Sequence, residues 1–155
     1  MRVLITGGAG FIGSHLAERH LNMGDEVDVI DNLSTGSIEN IQHLEENKRF
    51  NYVIDDVLNV DVLRELVGNC DLIYHLAAAV GVNFIIENPL SSLISNIRGT
   101  EIILELANEK KKKVVLTSTS EIYGKKNGHV PFTEDSDRTL GPTTVIRWNY
   151  STSKA

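Results

Sequence analysis

The segment Thr6-Gly7-Gly8-Ala9-Gly10-Phe11-Ile12-Gly13 near the start of the chain sets its architecture. It joins an apolar run that predicts a β-strand to a run that predicts a helix. Gly7 permits a tight turn, Gly10 lets the backbone approach a pyrophosphate, and Gly13 allows the helix to pack closely on the strand. The helix N-terminus then offers free N–H groups and a positive dipole to phosphates. The spacing predicts a dinucleotide-binding loop, with a plain tight turn as the alternative.

Outward from this loop, β-branched runs alternate with helical patterns, a rhythm typical of βαβ units and a parallel sheet. We predict strands at residues 1–6, 26–31, 50–54, 71–77 and 114–117, and helices at 11–23, 37–46, 61–67, 88–109 and from about 148. Gly24 closes the first helix, and Asn59 or Asp61 caps the third. The helix at 88–109 is expected to bury an apolar stripe that recurs at helical spacing, formed by Leu90, Leu93, Ile94, Ile97, Leu104 and Ala107.

The fold class predicted from this order is α/β, a Rossmann-type doubly wound parallel sheet in one domain spanning residues 1–155. The last helix is short, with nothing after it. A helix of that length is a poor end for a domain. We therefore expect that the chain is truncated after the start of this helix.

Composition is that of an ordinary globular protein, with 155 residues, 41% hydrophobic and 23% charged. The net charge of −6 argues against nucleic acid or an anionic membrane as the main partner. A single cysteine, Cys70, excludes an internal disulfide, and no Cys/His spacing predicts a metal site. The five histidines are assigned structural or surface positions. With no signal peptide or spanning segment in the sequence, we expect a cytoplasmic protein.

Asp31 ends the second predicted strand, about 20 residues beyond the glycine motif. A carboxylate there accepts hydrogen bonds from the adenosine ribose and repels a 2′-phosphate, which favours NAD over NADP. A turn or helix-capping aspartate is the alternative. The segment Asn32-Leu33-Ser34-Thr35-Gly36 is interpreted as the loop around the adenosine.

Tyr150 and Lys154 lie four residues apart and share one face of the last helix. An ammonium beside a phenol lowers its pKa and makes it a usable general base. Thr117-Ser118-Thr119-Ser120-Glu121 ends the fifth strand, at the sheet edge where α/β proteins bind ligands. We interpret Thr119 as a substrate-orienting hydroxyl and Ser118 as a turn residue.

Taken together, these motifs resemble the extended short-chain dehydrogenases/reductases, specifically the NAD-dependent sugar epimerase/dehydratase family. The other segments that carry the resemblance are Asp55-Asp56-Val57, His75-Leu76-Ala77-Ala78, Asn96-x-x-Gly99-Thr100 and Glu121-x-Tyr123-Gly124. The resemblance covers nearly the whole chain, in the family's order. It implies NAD as cofactor, a nucleotide sugar (a UDP-sugar) as substrate, and chemistry through a 4-keto sugar.

The resemblance also implies roles for individual residues. The cofactor would contact Gly7, Gly10, Phe11, Ile12, Gly13, Asp31, Asn32, Ser34, Thr35, Gly36, Asp56, Val57, Leu76, Ala77, Ala78, Tyr150 and Lys154, with Asn96 behind the site on the long helix. Thr119, Tyr150 and Lys154 would be the catalytic trio, and Glu121 would do acid/base work.

The branch within the family stays open. Arg147-Trp148-x-Tyr150 with Thr119-Ser120-Glu121 resembles UDP-glucuronate decarboxylases, and the same segment resembles UDP-glucose 4-epimerases. Dehydratases usually have Asp where this chain has Ser120. Arg147 is either a carboxylate-handling residue or a surface cation.

Family members are considerably longer, so the sugar-nucleotide part is expected to be absent. An NAD-binding fragment without turnover is the alternative function, and a homodimer is expected from the family.

Overall fold

A computed structural model describes residues 1–125, 131–146 and 148–155 of the chain. Five parallel strands form one sheet in the order β3-β2-β1-β4-β5. The strands are β1 (Arg2–Thr6), β2 (Glu26–Asp31), β3 (Phe50–Ile54), β4 (Leu72–His75) and β5 (Lys113–Leu116). The order reverses between β1 and β4, and this reversal is where doubly wound sheets form a ligand crevice.

The described helices are α1 (Phe11–Asn22), α2 (Val60–Asn69), α3 (Val82–Glu87), α4 (Pro89–Leu93), α5 (Gly99–Glu109) and α6 (Trp148–Ser153). A π-helical turn, Ile94–Arg98, joins α4 to α5 without a break. We call residues 89–109 the long helix. No helix in the described part of the chain is both long and apolar enough to cross a membrane.

Each face of the sheet is covered by helices and has its own core. On one face α2 and α5 pack on Leu4 and Ile73. On the other face α1 and two 3₁₀ turns pack on Val3 and Val29. The central strand β1 is apolar on both sides, at Val3, Leu4 and Ile5, because both sides are covered. The predicted Rossmann-type doubly wound α/β sheet is thus confirmed.

Local sequence signals explain one boundary each of α2 and α1. Asn59 caps α2, since its side-chain oxygen accepts a hydrogen bond from the Val62 N–H. Gly24 follows α1 with φ of 90°, the left-handed conformation that glycine favours. The predicted helix at 37–46 is wrong. The segment forms two 3₁₀ turns, Ile38–Asn40 and Gln42–Leu44, because the chain leaves helical geometry at Ile41, where φ is −123°.

The fourth strand is shorter than the predicted 71–77. It ends at His75, and the Ala77 N–H then donates to the Thr6 side-chain oxygen instead of continuing the ladder. The α3 helix was not predicted, and it places a further helix ahead of the long helix.

The predicted burial stripe on the long helix is largely wrong. Leu90, Ile94, Ile97 and Leu104 are 69%, 45%, 43% and 47% exposed, although Ala107 is buried. The buried face carries Ser92, Asn96, Gly99 and Ile103 instead. Helical periodicity identifies an apolar face but does not show which face of the helix packs against the rest of the protein. Here small and polar residues face inward, because the helix approaches the sheet loops closely: a Cβ on Gly99 would lie 2.8 Å from Val57.

Candidate functional site

A groove of about 710 Å³ crosses the carboxyl ends of the strands. Its walls come from the loops after all five strands, together with α6 and the long helix. The residues that line it and were predicted as site residues are Gly7, Gly10, Phe11, Ile12, Gly13, Asp31, Asn32, Ser34, Thr35, Gly36, Asp56, Val57, Leu76, Ala77, Ala78, Tyr150 and Lys154. The volume lies within the range of small-molecule and cofactor sites.

The glycine loop is shaped by close backbone contacts. Gly7 has φ of 73°, and a Cβ there would lie 2.8 Å from the Ala77 nitrogen. A Cβ on Gly13 would lie 2.3 Å from the Gly7 carbonyl oxygen, so the first turn of α1 sits directly on the loop. Gly10 is different, because only the Gly7 oxygen, at 3.2 Å, is near its Cβ position. Its place on the groove leaves room for a ligand to approach the backbone.

Asp31 connects this loop to the end of β2. One carboxylate oxygen accepts from the Ala9 N–H at 2.9 Å, and the other accepts from the Leu33 N–H at 2.8 Å. The residue is buried, yet it lines the groove. A carboxylate has about four lone-pair sites, so it has capacity left for ligand hydroxyls.

The loops after β2 and β3 meet beside it. The Asn32 amide donates to the Asp56 carboxylate at 2.8 Å. The other Asp56 oxygen accepts from the Leu58 N–H at 2.9 Å. This cross-link holds Asp56 and Val57 at the far end of the groove, where the arrangement could hold a planar base against an apolar wall.

The segment after β4 forms the wall between the two ends of the groove. Asn96 supports it from behind. Its side chain accepts from the Ala79 N–H at 2.7 Å and donates to the Ser153 hydroxyl at 3.1 Å. Asn96 is 2% exposed and is not among the described residues that line the groove. It therefore bridges the wall to α6, the position behind the site that the resemblance implies.

Tyr150 lies on α6, Lys154 directly follows the last residue of that helix, and both line the other end of the groove. Burial raises the pKa of Tyr150, and the Glu121 carboxylate raises it further. Burial lowers the pKa of Lys154. The expectation that the ammonium lowers the tyrosine pKa is therefore not met in this structure, because burial and Glu121 both disfavour the phenolate. This end of the groove carries a phenol and an amine, and the Glu121 carboxylate outside the groove acts electrostatically on the phenol. These are the components of a proton-transfer site.

The two hydroxyl residues that follow Thr117 after β5 have different surroundings. Ser118 lines the groove, and its hydroxyl donates to the Lys154 carbonyl oxygen at 2.7 Å. The Thr119 oxygen instead accepts from the Glu121 N–H at 3.3 Å and caps a 3₁₀ turn. Thr119 and Glu121 are not among the described residues that line the groove. Arg147 and His129 lie outside the described residues.

Several groove residues were not predicted from sequence. They are Ile30, Asp55, Ala79, Val80, Phe84, Ser91, Ser95 and Thr117, besides Ser118. Gly8 was also passed over, although a Cβ there would lie 2.4 Å from the Val29 side chain. The Gly7-Gly8 pair in the sequence could have indicated that Gly8 has no room for a side chain. The residues of α3 and the long helix gave no such signal, because their approach depends on tertiary packing.

The strand order, the glycine loop and the Tyr150/Lys154 pair are together typical of one class of protein. This is the extended short-chain dehydrogenase/reductase class that the sequence resembles. The family model described as GDP-mannose 4,6 dehydratase matches residues 4–155, and the chain belongs to that family.

The relatives are enzymes that act on nucleotide sugars. A UDP-N-acetyl-alpha-D-glucosaminuronate decarboxylase of Bacillus cytotoxicus is 43% identical over 153 residues, which is 99% of this chain and 46% of that protein. The UDP-glucuronic acid decarboxylase 1 of Arabidopsis thaliana is 42% identical over 124 residues, 80% of this chain and 27% of that protein. The chain thus spans less than half the length of these relatives.

Solved structures show the same architecture. DesIV, a dTDP-glucose 4,6-dehydratase from Streptomyces venezuelae with NAD bound, superposes with a TM-score of 0.86 and 32% identity, over 99% of this chain and 48% of that one. A Thermus thermophilus UDP-glucose 4-epimerase in complex with NAD gives a TM-score of 0.83 and 32% identity, over 100% and 48%.

Proposed function

We propose that the chain binds NAD in the groove and forms the cofactor half of an enzyme that acts on nucleotide sugars through a 4-keto intermediate. The observation that carries this proposal is that one groove is lined by both the glycine loop and the Tyr150/Lys154 pair. The NAD-bound relatives of the same fold support it.

Two features of the groove fit a dinucleotide. Gly10 leaves the backbone open for close approach at the N-terminus of α1, where N–H groups and the helix dipole favour phosphate. Asp31 ends β2 with a carboxylate held toward the groove by two backbone N–H groups. A 2′-phosphate would meet that negative charge, so NAD is expected to bind more tightly than NADP.

The reaction would start with oxidation of one secondary alcohol of the sugar, most simply at C4, in which the hydroxyl loses a proton and the carbon loses a hydride. Tyr150 would act as a phenolate that Lys154 stabilises, and it would become the neutral phenol when it takes the hydroxyl proton; Thr119 would orient the sugar oxygen. When bound, NAD⁺ would supply the hydride acceptor and a positive ring charge, and it would be regenerated within the cycle. Glu121 would serve as an acid/base group for the keto sugar.

The relatives support a nucleotide sugar as the substrate class. UDP-glucuronate decarboxylation is the branch favoured by sequence identities of 40% or more to several decarboxylases, with UDP-sugar epimerisation as the other branch. Arg147 would bind the sugar carboxylate in the first branch. We place the activity in the cytoplasm, where the buried Cys70 stays a thiol.

The alternative function is NAD binding without turnover, and calorimetry followed by product analysis separates the two. Saturable binding of NAD⁺, weaker binding of NADP⁺ and loss of binding in Gly10→Val are expected. Conversion of UDP-glucuronate with release of CO₂ would then support the decarboxylase. Binding without any product from UDP-sugars would support the cofactor-binding alternative, and no NAD⁺ binding by the folded chain would contradict both.

We propose that a second copy of the chain binds the long helix and forms a homodimer. Leu90, Ile94, Ile97 and Leu104 form an exposed apolar stripe along it, and such patches mark interaction sites. Sedimentation equilibrium should give twice the chain mass, and Ile97→Glu should give the monomer. An exposed glutamate elsewhere, Val145→Glu, is the matched control. A monomeric wild-type chain would contradict the proposal.

A further inference from the structure

His75, the last residue of β4, lies at the centre of a hydrogen-bond chain that links two walls of the groove. Its side chain is fully buried. Nδ1 lies 2.7 Å from the Thr6 hydroxyl oxygen, and Nε2 lies 3.2 Å from the Thr100 hydroxyl oxygen. Thr6 directly precedes the glycine loop, and Thr100 lies in the first turn of α5. One imidazole ring therefore joins β1 to the long helix.

The neighbouring hydrogen bonds determine which ring nitrogen carries the proton. The Thr100 hydroxyl donates its only proton to the Asn96 carbonyl oxygen at 2.7 Å, so its oxygen accepts from the His75 Nε2–H. On the other side, the Thr6 oxygen accepts from the Ala77 N–H at 3.1 Å and is left to donate to Nδ1. Every donor then meets one acceptor, which is the arrangement that a buried network requires.

A charged ring would break this arrangement. Protonation of Nδ1 would set two donors, the ring N–H and the Ala77 N–H, against the Thr6 oxygen, and the Thr6 proton would lose its acceptor. Burial, together with the nearby Lys154 ammonium, lowers the pKa of His75 to about 4. The Lys154 ammonium, directly after α6, is the charged group that acts on the ring; the contacts from β1 and α5 are hydroxyls.

Both ends of the chain of hydrogen bonds reach the groove. Ala77 lines it and packs against Gly7. At the other end the Asn96 side chain binds Ala79 and donates to the Ser153 hydroxyl, which donates to the Tyr150 carbonyl oxygen at 3.0 Å. The ring is thus the middle link between the glycine loop and α6.

We propose that His75 is a positioning residue, a neutral imidazole protonated on Nε2 that fixes the glycine loop relative to α6 through Thr6 and Thr100. Its consequence for cofactor binding rests on the function proposed above. The role in holding the two walls together does not, and it can be tested on the chain alone.

The first test reads the ring directly. In long-range ¹H–¹⁵N spectra, with the His75 signals assigned by their loss in His75→Asn, Nε2 should show the shift of a protonated nitrogen and Nδ1 that of an unprotonated one. The pattern should hold from about pH 8 to about pH 5.5, because the pKa is about 4. A ring protonated on Nδ1, or charged near neutral pH, would overturn the proposal.

The second test removes one link. Thr100→Val keeps the side-chain shape but deletes the hydroxyl, and Thr100→Ser keeps the hydroxyl. The exposed Thr144→Val is the control. Thr100→Val should move the amide resonances of both Ala77 and Ser153, whereas Thr100→Ser and Thr144→Val should leave them in place. Unchanged amide resonances at Ala77 in Thr100→Val would show that the ring does not couple the two walls.

NAD⁺ titration of the same variants connects this role to function. Thr100→Val should weaken NAD⁺ binding roughly five- to tenfold, the effect of one lost hydrogen bond, and Thr100→Ser should bind within about twofold of the wild type. Equal affinity of Thr100→Val and the wild type would overturn the effect on the cofactor site. A wild-type chain that does not bind NAD⁺ would contradict the proposed function, while the ring and amide resonances would still decide the role of His75.

Discussion

The two ends of the groove are built in different ways. The end formed by β1, β2 and the glycine loop belongs to the core: five of the six β2 residues are buried, and Gly7 and Gly13 are in contact with backbone. The end formed by β5 and α6 lies on the edge of the sheet, where Val115 and Leu116 are 41% and 45% exposed. There, α6 is held by side-chain hydrogen bonds such as that from Ser151 to the Glu121 carbonyl oxygen.

This difference separates two kinds of sensitivity. Changes at the glycine end should damage the fold and ligand binding together, because the same atoms serve both. Changes at the α6 end should alter reactivity with a smaller loss of stability. The predictions below test this contrast, beginning with the largest expected effect.

Gly13→Val should cost the most. Its Cβ would lie 2.3 Å from the Gly7 carbonyl oxygen and 2.6 Å from the Gly8 Cα, and backbone cannot yield as a side chain can. We expect a loss of about 3 kcal/mol or more in the free energy of unfolding, measured by urea denaturation, together with loss of NAD⁺ binding. Gly10→Ala is the control, because its Cβ position is tight only against the Gly7 oxygen. Equal stability losses in both variants would remove the packing explanation.

Acid should destabilise the chain through His75. Its pKa is lowered from 6.5 to about 4 by burial and by Lys154, so the unfolded chain binds the proton more readily. The stability that depends on the neutral ring is present above about pH 6.5 and is lost as the pH falls toward 4. The loss is about 3 kcal/mol.

Urea denaturation at several pH values in this window measures that effect. His75→Gln cannot titrate, so its pH dependence should be shallower by the same amount, whatever its stability at neutral pH. Parallel pH profiles for wild type and His75→Gln would show that other groups cause the acid sensitivity.

The sequence predicted the sheet because each strand has a local signal and the glycine motif sets the first βα unit. Strand β2 and strand β3 were predicted to the residue. Prediction from sequence failed where burial depends on which elements pack against each other in the folded chain. The stripe with Leu90 and Leu104 had the right period but lies on the outer face, because Asn96 and Gly99 bring the inner face close to the loops.

The candidate site also has residues that local sequence signals predict and residues that depend on tertiary packing. Residues with backbone roles, such as Gly7 and Asp31, lie on the groove as the motif spacing predicts. The sequence favours Thr119 as the substrate-orienting hydroxyl and Ser118 as the turn residue, but in the structure Thr119 caps the turn and Ser118 lines the groove. Both hydroxyls follow β5, and local sequence does not show which of them caps the turn. The link through His75 was likewise invisible, since its partners Thr6 and Thr100 are far apart in sequence.

Asp31→Asn should have an intermediate effect. The carboxylate accepts from the Ala9 and Leu33 N–H groups, and an amide would set its own NH₂ against one of them. We expect a loss of about 2 kcal/mol in stability, and a smaller preference for NAD⁺ over NADP⁺ in calorimetry. The exposed Asp135→Asn controls for the change in net charge. An unchanged cofactor preference would remove Asp31 from the specificity assignment.

The smallest expected effect distinguishes the two hydroxyls at the α6 end. If Thr119 orients the sugar oxygen, Thr119→Val should slow the reduction of bound NAD⁺ by a UDP-sugar about tenfold, the equivalent of one hydrogen bond in the transition state. Ser118→Ala should stay within about twofold. Absorbance of NADH in a single turnover gives both rates. Because Thr119 also caps a turn, Thr119→Ser is needed, and it should restore the rate by keeping the oxygen that accepts from the Glu121 N–H. The reverse order of rates would instead assign the reaction to Ser118, the hydroxyl that lines the groove and binds the Lys154 carbonyl oxygen.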